Sequence, residues 1–380
     1  MIDLDRALDG VMRRRAARVA RFPFLAEVID ARRGASAHAF LRGEVPLFYE
    51  LIAMSPEVAR LPADGGVIVG DLHLENVGAW RTDEGPGALV FDLNDLDCAG
   101  RGPWRVDLLR LTTSLFLSRE GSGLDVGAQH AEALAMLDAW RGALETGRLP
   151  TTPPAVEKLL RKAEGRSRQS FLAARTEKVD GRTRFLRGPR YRDVARGLAR
   201  EVTESVEAHL MARTREAHTV ADVAFRIAGN GSLGGLRLAL LVESAQRVKV
   251  FDLKEVEPLP STALRPLDDD PGAALLAGAR ALLGALPRGL DTLDLGGRAM
   301  ALRRLTPQED KLDLARVEPS ERAGLFRYLG ALVGRAHRRG ADRATARWRD
   351  DTLRATVETA ARLEGATTTL WRLYALSLAP

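Results

Sequence analysis

At 380 residues the chain exceeds the roughly 100–200 usual for one domain, and its composition, 45% hydrophobic and 28% charged, is that of a folded globular protein; a disulfide-stapled miniprotein and a disordered chain are both excluded. A net charge of +6 is compatible with an anionic substrate or with nucleic acid and selects neither. The 57 basic residues include only six lysines (Lys158, Lys162, Lys178, Lys249, Lys254 and Lys311), leaving 51 arginines, so a lysine at a meaningful spacing carries more weight than any arginine.

The first residues, MIDLDRALDGVMRRRAARVARF, are interrupted by charges and lack the apolar core of a signal peptide. Cys98, the single cysteine, can build neither an intrachain disulfide nor a cysteine metal site, which fits a reducing cytoplasm. The most apolar stretch, Ala273 to Leu286, is shorter than the roughly 20 residues a bilayer needs and contains Arg280. A soluble, cytoplasmic protein with no membrane partner is the expectation.

Apolar positions recur at helical intervals to about residue 60, through Phe40, Leu47, Phe48, Leu51 and Ile52. A hairpin-like block follows: the run Val67-Ile68-Val69 enters a polar loop, the run Leu89-Val90-Phe91 enters an acidic one, and RTDEGPGA between them is turn chemistry. Helix returns from Trp104 to about Leu144. Residues 161–200 hold thirteen Lys+Arg against Glu164, Glu177, Asp180 and Asp193, and read as a solvated connector or as a landing surface for an anionic substrate. From Ala221 three short apolar runs separated by turns read as strands. PGAALLAGARALLGAL reads as helix, LDTLDLGG and RAMALRRL as a strand pair, and the remainder from Glu318 as helix. The order is α+β, with a small antiparallel sheet segregated in the second half.

Three constellations could carry chemistry. In Gly70-Asp71-Leu72-His73-Leu74-Glu75-Asn76, an Asp and an Asn five apart leave an apolar strand on one loop. Phosphoryl transfer uses such a pair: a carboxylate that orients the attacking hydroxyl and an oxygen ligand for magnesium. His73 has no second His or Cys at ligand spacing and is expected to brace the loop. Asp92-Leu-Asn-Asp95-Leu-Asp97 crowds three carboxylates, a cost that a divalent cation or a basic group relieves. Gly229-Asn230-Gly231-Ser232-Leu233-Gly234 is followed 20 residues later by Lys254, so a flexible backbone could approach phosphates that a strand lysine neutralises. A dinucleotide fold would want a helix after the glycines and an acid such as Asp252; the alternating LRLALLVES favours a turn between antiparallel strands instead.

GDLHLEN resembles the catalytic loop of aminoglycoside phosphotransferases and choline kinases, which reads HGDLHxxN. The stretch Asp95 to Asp107-Leu resembles their magnesium loop and the Asp-Leu after it, and LGALVGRAH (Leu329 to His337) resembles the helix that precedes their catalytic loop. The whole chain, including FLRG at Phe40–Gly43, FDLNDLD, GPW, FDLKEVE and GRAH, is similar to a bacterial kinase-like family known as domain of unknown function 2252.

The resemblance implies a protein-kinase-like two-lobe fold in circularly permuted order. Residues 1–215 would form a helical lobe with the catalytic and metal loops, 216–310 a small nucleotide-binding lobe, and 311–380 the helices completing the large lobe. It further implies ATP and Mg2+ as cofactors of a phosphotransferase acting on an unidentified, small-molecule acceptor. Asp71 would be catalytic, Asn76 and Asp95 would bind magnesium, and Gly229, Asn230, Gly231, Ser232, Gly234 and Lys254 would hold the nucleotide, with Arg42 and Arg237 as further phosphate contacts. The chain departs from the pattern twice. Val69 stands where the phosphotransferases have the His of HGD, and Ala277 where a helix Glu would hold the strand lysine, leaving Glu255 or another acid for Lys254. That second departure supports the alternative of a nucleotide-binding pseudokinase without turnover. Nucleic-acid binding through residues 161–200 is disfavoured, because only Phe171, Phe185 and Tyr191 interleave the basic residues.

Overall fold

The computed structural model describes residues 2–84, 87–118, 125–229, 231, 233–244, 247–342 and 348–378. Helices α1 (Leu4–Arg21), α2 (Ala26–Gly34), α3 (Ala37–Gly43) and α4 (Val45–Ala53) come first. Strands β1 (Gly65–Ile68), β2 (Val77–Arg81), β3 (Leu89–Leu93) and β4 (Gly100–Pro103) follow, then helices α5 (Trp104–Ser118), α6 (Val126–Thr146), α7 (Pro154–Glu164) and α8 (Arg168–Ala173). Strands β5 (Thr176–Val179), β6 (Arg182–Phe185) and β7 (Tyr191–Arg192) lead to α9 (Arg196–Thr214). Next come β8 (Thr219–Arg226), β9 (Arg237–Ser244), β10 (Arg247–Glu255), α10 (Pro271–Leu282), β11 (Asp291–Leu295), β12 (Arg298–Leu305) and β13 (Asp310–Lys311). Helices α11 (Pro319–Arg339) and α12 (Asp350–Ser377) close the order. The fold is α+β with antiparallel sheets, as the pattern of apolar runs predicts. Among the described residues no helix is long and apolar enough to cross a membrane.

Local chemistry sets several boundaries. Asp3, Ser36, Asp125 and Asp270 each cap a helix by accepting a backbone N–H three residues on. Proline at the start of α10 and α11 fixes the first helical turn.

The largest sheet has the order β11-β12-β10-β9-β8-β7. Its β10 alternates with period two: Phe251 and Leu253 pack with Val202 and Val206 of α9 and with Leu25 and Ile29, while Asp252 and Lys254 point to the opposite face. A second, larger core joins α3 to α6, the strands β1 to β3, and α11 and α12. There α11 crosses α6 at close quarters. A Cβ on Gly330 would lie 2.0 Å from Met136 O, and one on Gly334 2.1 Å from Trp140 O, so glycine is what lets the two backbones touch.

The structure re-pairs the expected hairpin-like block. The run at Val67–Val69 does not face the one at Leu89–Phe91; β1 pairs with β4, and β2 forms the hairpin with β3. The block 161–200 is solvent-exposed along most of its length, as a solvated segment would be, but it forms helices and strands and is anchored at a few apolar points. Phe171 and Leu172 of α8, Phe185 of β6 and Tyr191 of β7 pack on Ala224, Ala239, Leu241 and Val250 of the sheet. Phe185 and Tyr191 are fully buried, which removes them as stacking platforms for nucleic-acid bases.

Candidate active site

The first loop is anchored at its entrance. Asp107, in the first turn of α5, accepts the N–H of Val69 at 2.7 Å and of Gly70 at 2.9 Å, and also faces His337 Nε2 of α11 at 3.0 Å. Trp140 donates its indole N–H to His337 Nδ1 at 3.0 Å, so the imidazole proton resides on Nε2 and is donated to Asp107. Gly70 has φ +79°, and a Cβ there would meet Cys98 O at 2.2 Å; only glycine makes this turn.

The turn presents Asp71. Its Oδ1 accepts both Nε (2.9 Å) and Nη2 (2.5 Å) of Arg110, a completely buried guanidinium that also bonds Leu41 O and lies 5.1 Å from the Phe48 ring. Oδ2 is left toward the cleft, where Gly231 passes close enough that a Cβ on it would be 3.7 Å away. Burial raises the Asp71 pKa above the ordinary carboxylate value, Arg110 opposes the rise, and Asp95 adds to it. His73 is buried and accepts the Glu75 N–H at 3.2 Å, a brace within the loop; burial pushes its pKa well down.

Asn76 ties this loop to the acidic one, its Nδ2 donating to Asp71 O at 3.3 Å and Asp95 O at 2.9 Å. Those two carbonyls fix the amide orientation and leave Oδ1 buried with no hydrogen-bond partner among the described residues. Asp95 opens onto the cleft with its side chain 47% exposed. The crowding of the cleft walls would raise its pKa, but Lys254, Lys311, Arg237 and Arg303 outweigh that and hold it low. Asp92 is buried elsewhere, against Arg335 at 3.0 Å and Arg339 at 3.9 Å. Among the described residues no three His, Cys, Asp or Glu side chains form a ready metal cage. A hard cation held by Asn76 Oδ1 and Asp95 would therefore complete its shell from ligand and water oxygens. The orphaned, buried Oδ1 fits such a role.

Lys254 pairs with Asp97 and lies 4.0 Å from Asp95 Oδ1. Glu255, the neighbour considered for that pairing, instead engages Arg21 at 2.8 Å and the Leu236 N–H at 2.9 Å, and α10 carries no acid at all. The glycine segment joins antiparallel β8 and β9 and rests on the amino-terminal helices: Gly229 O accepts from Arg32, and Gly234, at φ +104°, packs against Arg18. Asn230 and Ser232 lie outside the described residues. Arg42 pairs with Glu75. Arg237 is spent on Asp252, with Nε at 3.0 Å and Nη2 at 2.6 Å, and Arg226 binds the same carboxylate at 2.6 Å. Burial disfavours the Asp252 charge, but the two guanidiniums hold its pKa far below the usual range, and neither ribose binding nor the dinucleotide reading remains open to it.

Two joined spaces result. A small compartment of about 100 Å³ is lined by Asp71, Asn76, Arg42 and Gly231, a larger cavity of about 680 Å³ by Arg237, Arg226 and Asp252, and both by Asp95, Asp97, Gly229, Lys254 and Lys311. Gly234 lines neither. Lys311, on β13 opposite Gly78, escapes a sequence reading because EDKLD looks like a solvated turn; its rarity as one of six lysines was the available signal. The cleft walls lower its pKa against the pull of Asp95.

No curated protein and no solved structure matches the chain. The sequence model of the family described as "Uncharacterized protein conserved in bacteria (DUF2252)" matches residues 21–377, and the chain belongs to that family.

Proposed function

We propose that the protein is an ATP- and magnesium-dependent phosphotransferase with a circularly permuted, kinase-like two-lobe arrangement, acting on a small-molecule acceptor. The observation that carries this reading is the meeting of Asp71, Asn76 and Asp95 with Gly231 and Lys254 around one cleft, although Asp71 and Asn76 precede Gly231 by more than 150 residues. The permuted order is supported by the end of α11, whose Gly340 O accepts the Val67 N–H of β1 at 2.8 Å: the last part of the chain leads structurally into the first loop.

In this reading the larger cavity takes the nucleotide and the small compartment the acceptor hydroxyl. Asp71 Oδ2 orients that hydroxyl and takes its proton, while Arg110 holds Oδ1. Lys254 leaves Asp97 to neutralise the α- and β-phosphates, and the backbone at Gly229 and Gly231, which line the cleft, lies over them. Asn76 Oδ1 and Asp95 would hold magnesium, which when bound offsets the phosphate charge.

The test is melting with Mg-ATP combined with release or transfer of γ-phosphate. Nucleotide at about 100 times its Kd stabilises a folded protein by about 2.7 kcal/mol. A clear upward Tm shift is expected for the wild type and its loss in Asp95→Asn and Lys254→Ala; no wild-type shift sinks the proposal. The acid-free α10 favours one second reading, a pseudokinase that binds nucleotide without turnover. A Tm shift with no γ-phosphate consumed would select it.

A further inference from the structure

The larger cavity extends past Lys254 into a region with a different lining. Arg166 and Arg175, from the segment that packs against the sheet, join Arg226, Arg237 and Arg303 there, and none of the five lines the small compartment of Asp71. Three carboxylates face them. Asp252 takes Arg226 and Arg237, Asp310 takes Arg166 at 2.5 Å, and Glu309 stands 3.6 Å from Arg303.

Arg175 is the remainder. Among the described residues no carboxylate comes within 4 Å of it; the guanidinium sits 3.9 Å over the Phe171 ring and donates to Phe171 O at 3.0 Å. Burial lowers its pKa and the charges of Arg190 and Arg226 add to that, outweighing the opposing influence of Tyr191 and Glu309. Two more donors belong to the cavity lining: among the described residues, Nε of Arg226 and Nε of Arg303 are buried without a hydrogen-bond partner. Crowded, partly desolvated cations with unmade hydrogen bonds raise the free energy of the empty cavity. An uncharged base would bring them no counter-charge, whereas a phosphate brings both charge and several acceptor oxygens in a geometry that guanidinium groups match.

We propose that Arg175, Arg226 and Arg303 form a phosphate-binding subsite in the arginine-lined part of the larger cavity, distinct from the position beside Lys254 and Asp95. The phosphate belongs either to a nucleotide lying with its phosphates inward or to a second phosphorylated ligand. The inference shares with the phosphotransfer reading only the use of this cavity as a ligand site and does not depend on chemistry at Asp71.

Calorimetric titration of the full chain with metal-free tripolyphosphate tests it. Binding is expected for the wild type and should weaken at least tenfold in Arg175→Gln. Ser167→Asp supplies a second variant that leaves the arginines in place: Ser167 lines the cavity and caps α8, a task aspartate also performs, so the change adds a negative charge to the wall while keeping the cap. It too should weaken binding at least tenfold. ATP that displaces tripolyphosphate identifies the nucleotide as the source of the phosphate, and simultaneous binding identifies a second ligand; either supports the subsite. Absence of tripolyphosphate binding, or binding indifferent to both substitutions, overturns it. Failure of γ-phosphate turnover would count against the phosphotransfer reading alone.

Discussion

Arg110 governs what Asp71 can do. A carboxylate raised by burial is a better proton acceptor but is lost to protonation sooner as pH falls, and Arg110 limits that rise. On the proposed chemistry, kcat/KM therefore falls as pH drops through the raised Asp71 pKa. Arg110→Gln removes the opposing charge, so the acid limb should move to higher pH and kcat/KM at neutral pH should fall by about 10- to 100-fold. A pH–rate profile whose acid limb stays in place would separate Asp71 from the titrating base. The Asp71–Asn76 pair was legible because loop chemistry is written in short spacing. The partners across the fold were not. Spacing along the chain cannot reveal that Lys254 meets Asp97, that Glu255 turns to Arg21, or that Arg237 is consumed by Asp252.

The contact of α6 with α11 is what brings His337 to Asp107, and through it the entrance of the Asp71 loop to the rest of the molecule. Gly334→Ala should cost about 3 kcal/mol, because its Cβ would collide with the Trp140 carbonyl. Gly142→Ala in the same helix pair meets nothing within 4 Å and should stabilise by about 0.5–1 kcal/mol. Urea midpoints measured side by side check both, and equal effects would show that close backbone approach is unimportant here. Long periodic helices were readable as elements, whereas strand partners were not: β4 is Gly-Arg-Gly-Pro, with no strand signature, and yet it takes β1. The block 161–200 misled for a similar reason, since the four apolar side chains that dock it are scattered among thirteen cations.

Across the whole molecule, α1 and α12 lie side by side, with Ser377 Oγ 3.7 Å from Met12 Sδ. From Leu4 to Met12 the helix rises about 12 Å, so a linker of about eight residues can join position 378 to position 2. Opening the chain between α9 and β8, at residues 215–218, would then put the glycine segment and Lys254 ahead of the Asp71 loop. This rearranged protein should fold and keep the Mg-ATP melting shift expected of the parent; a folded product without that shift would count against the permuted kinase-like reading. The α+β class was legible in the rhythm of apolar runs, whereas the proposed permuted order rests on the resemblance of short motifs, since no composition or period records which end of a chain packs against which loop.

On the proposed chemistry, the pairing of Lys254 with Asp97 would make ligand capture an exchange rather than a simple addition. A phosphate arriving at Lys254 has to evict a carboxylate from its side, and the evicted Asp97 then adds a repulsive negative charge beside the newcomer. Asp97→Asn removes both obstacles and should tighten nucleotide binding by about tenfold, read as Kd, mainly through slower dissociation. The wild-type cleft would thus act as its own competitive inhibitor, holding the lysine in reserve until a sufficiently charged ligand outbids an internal rival.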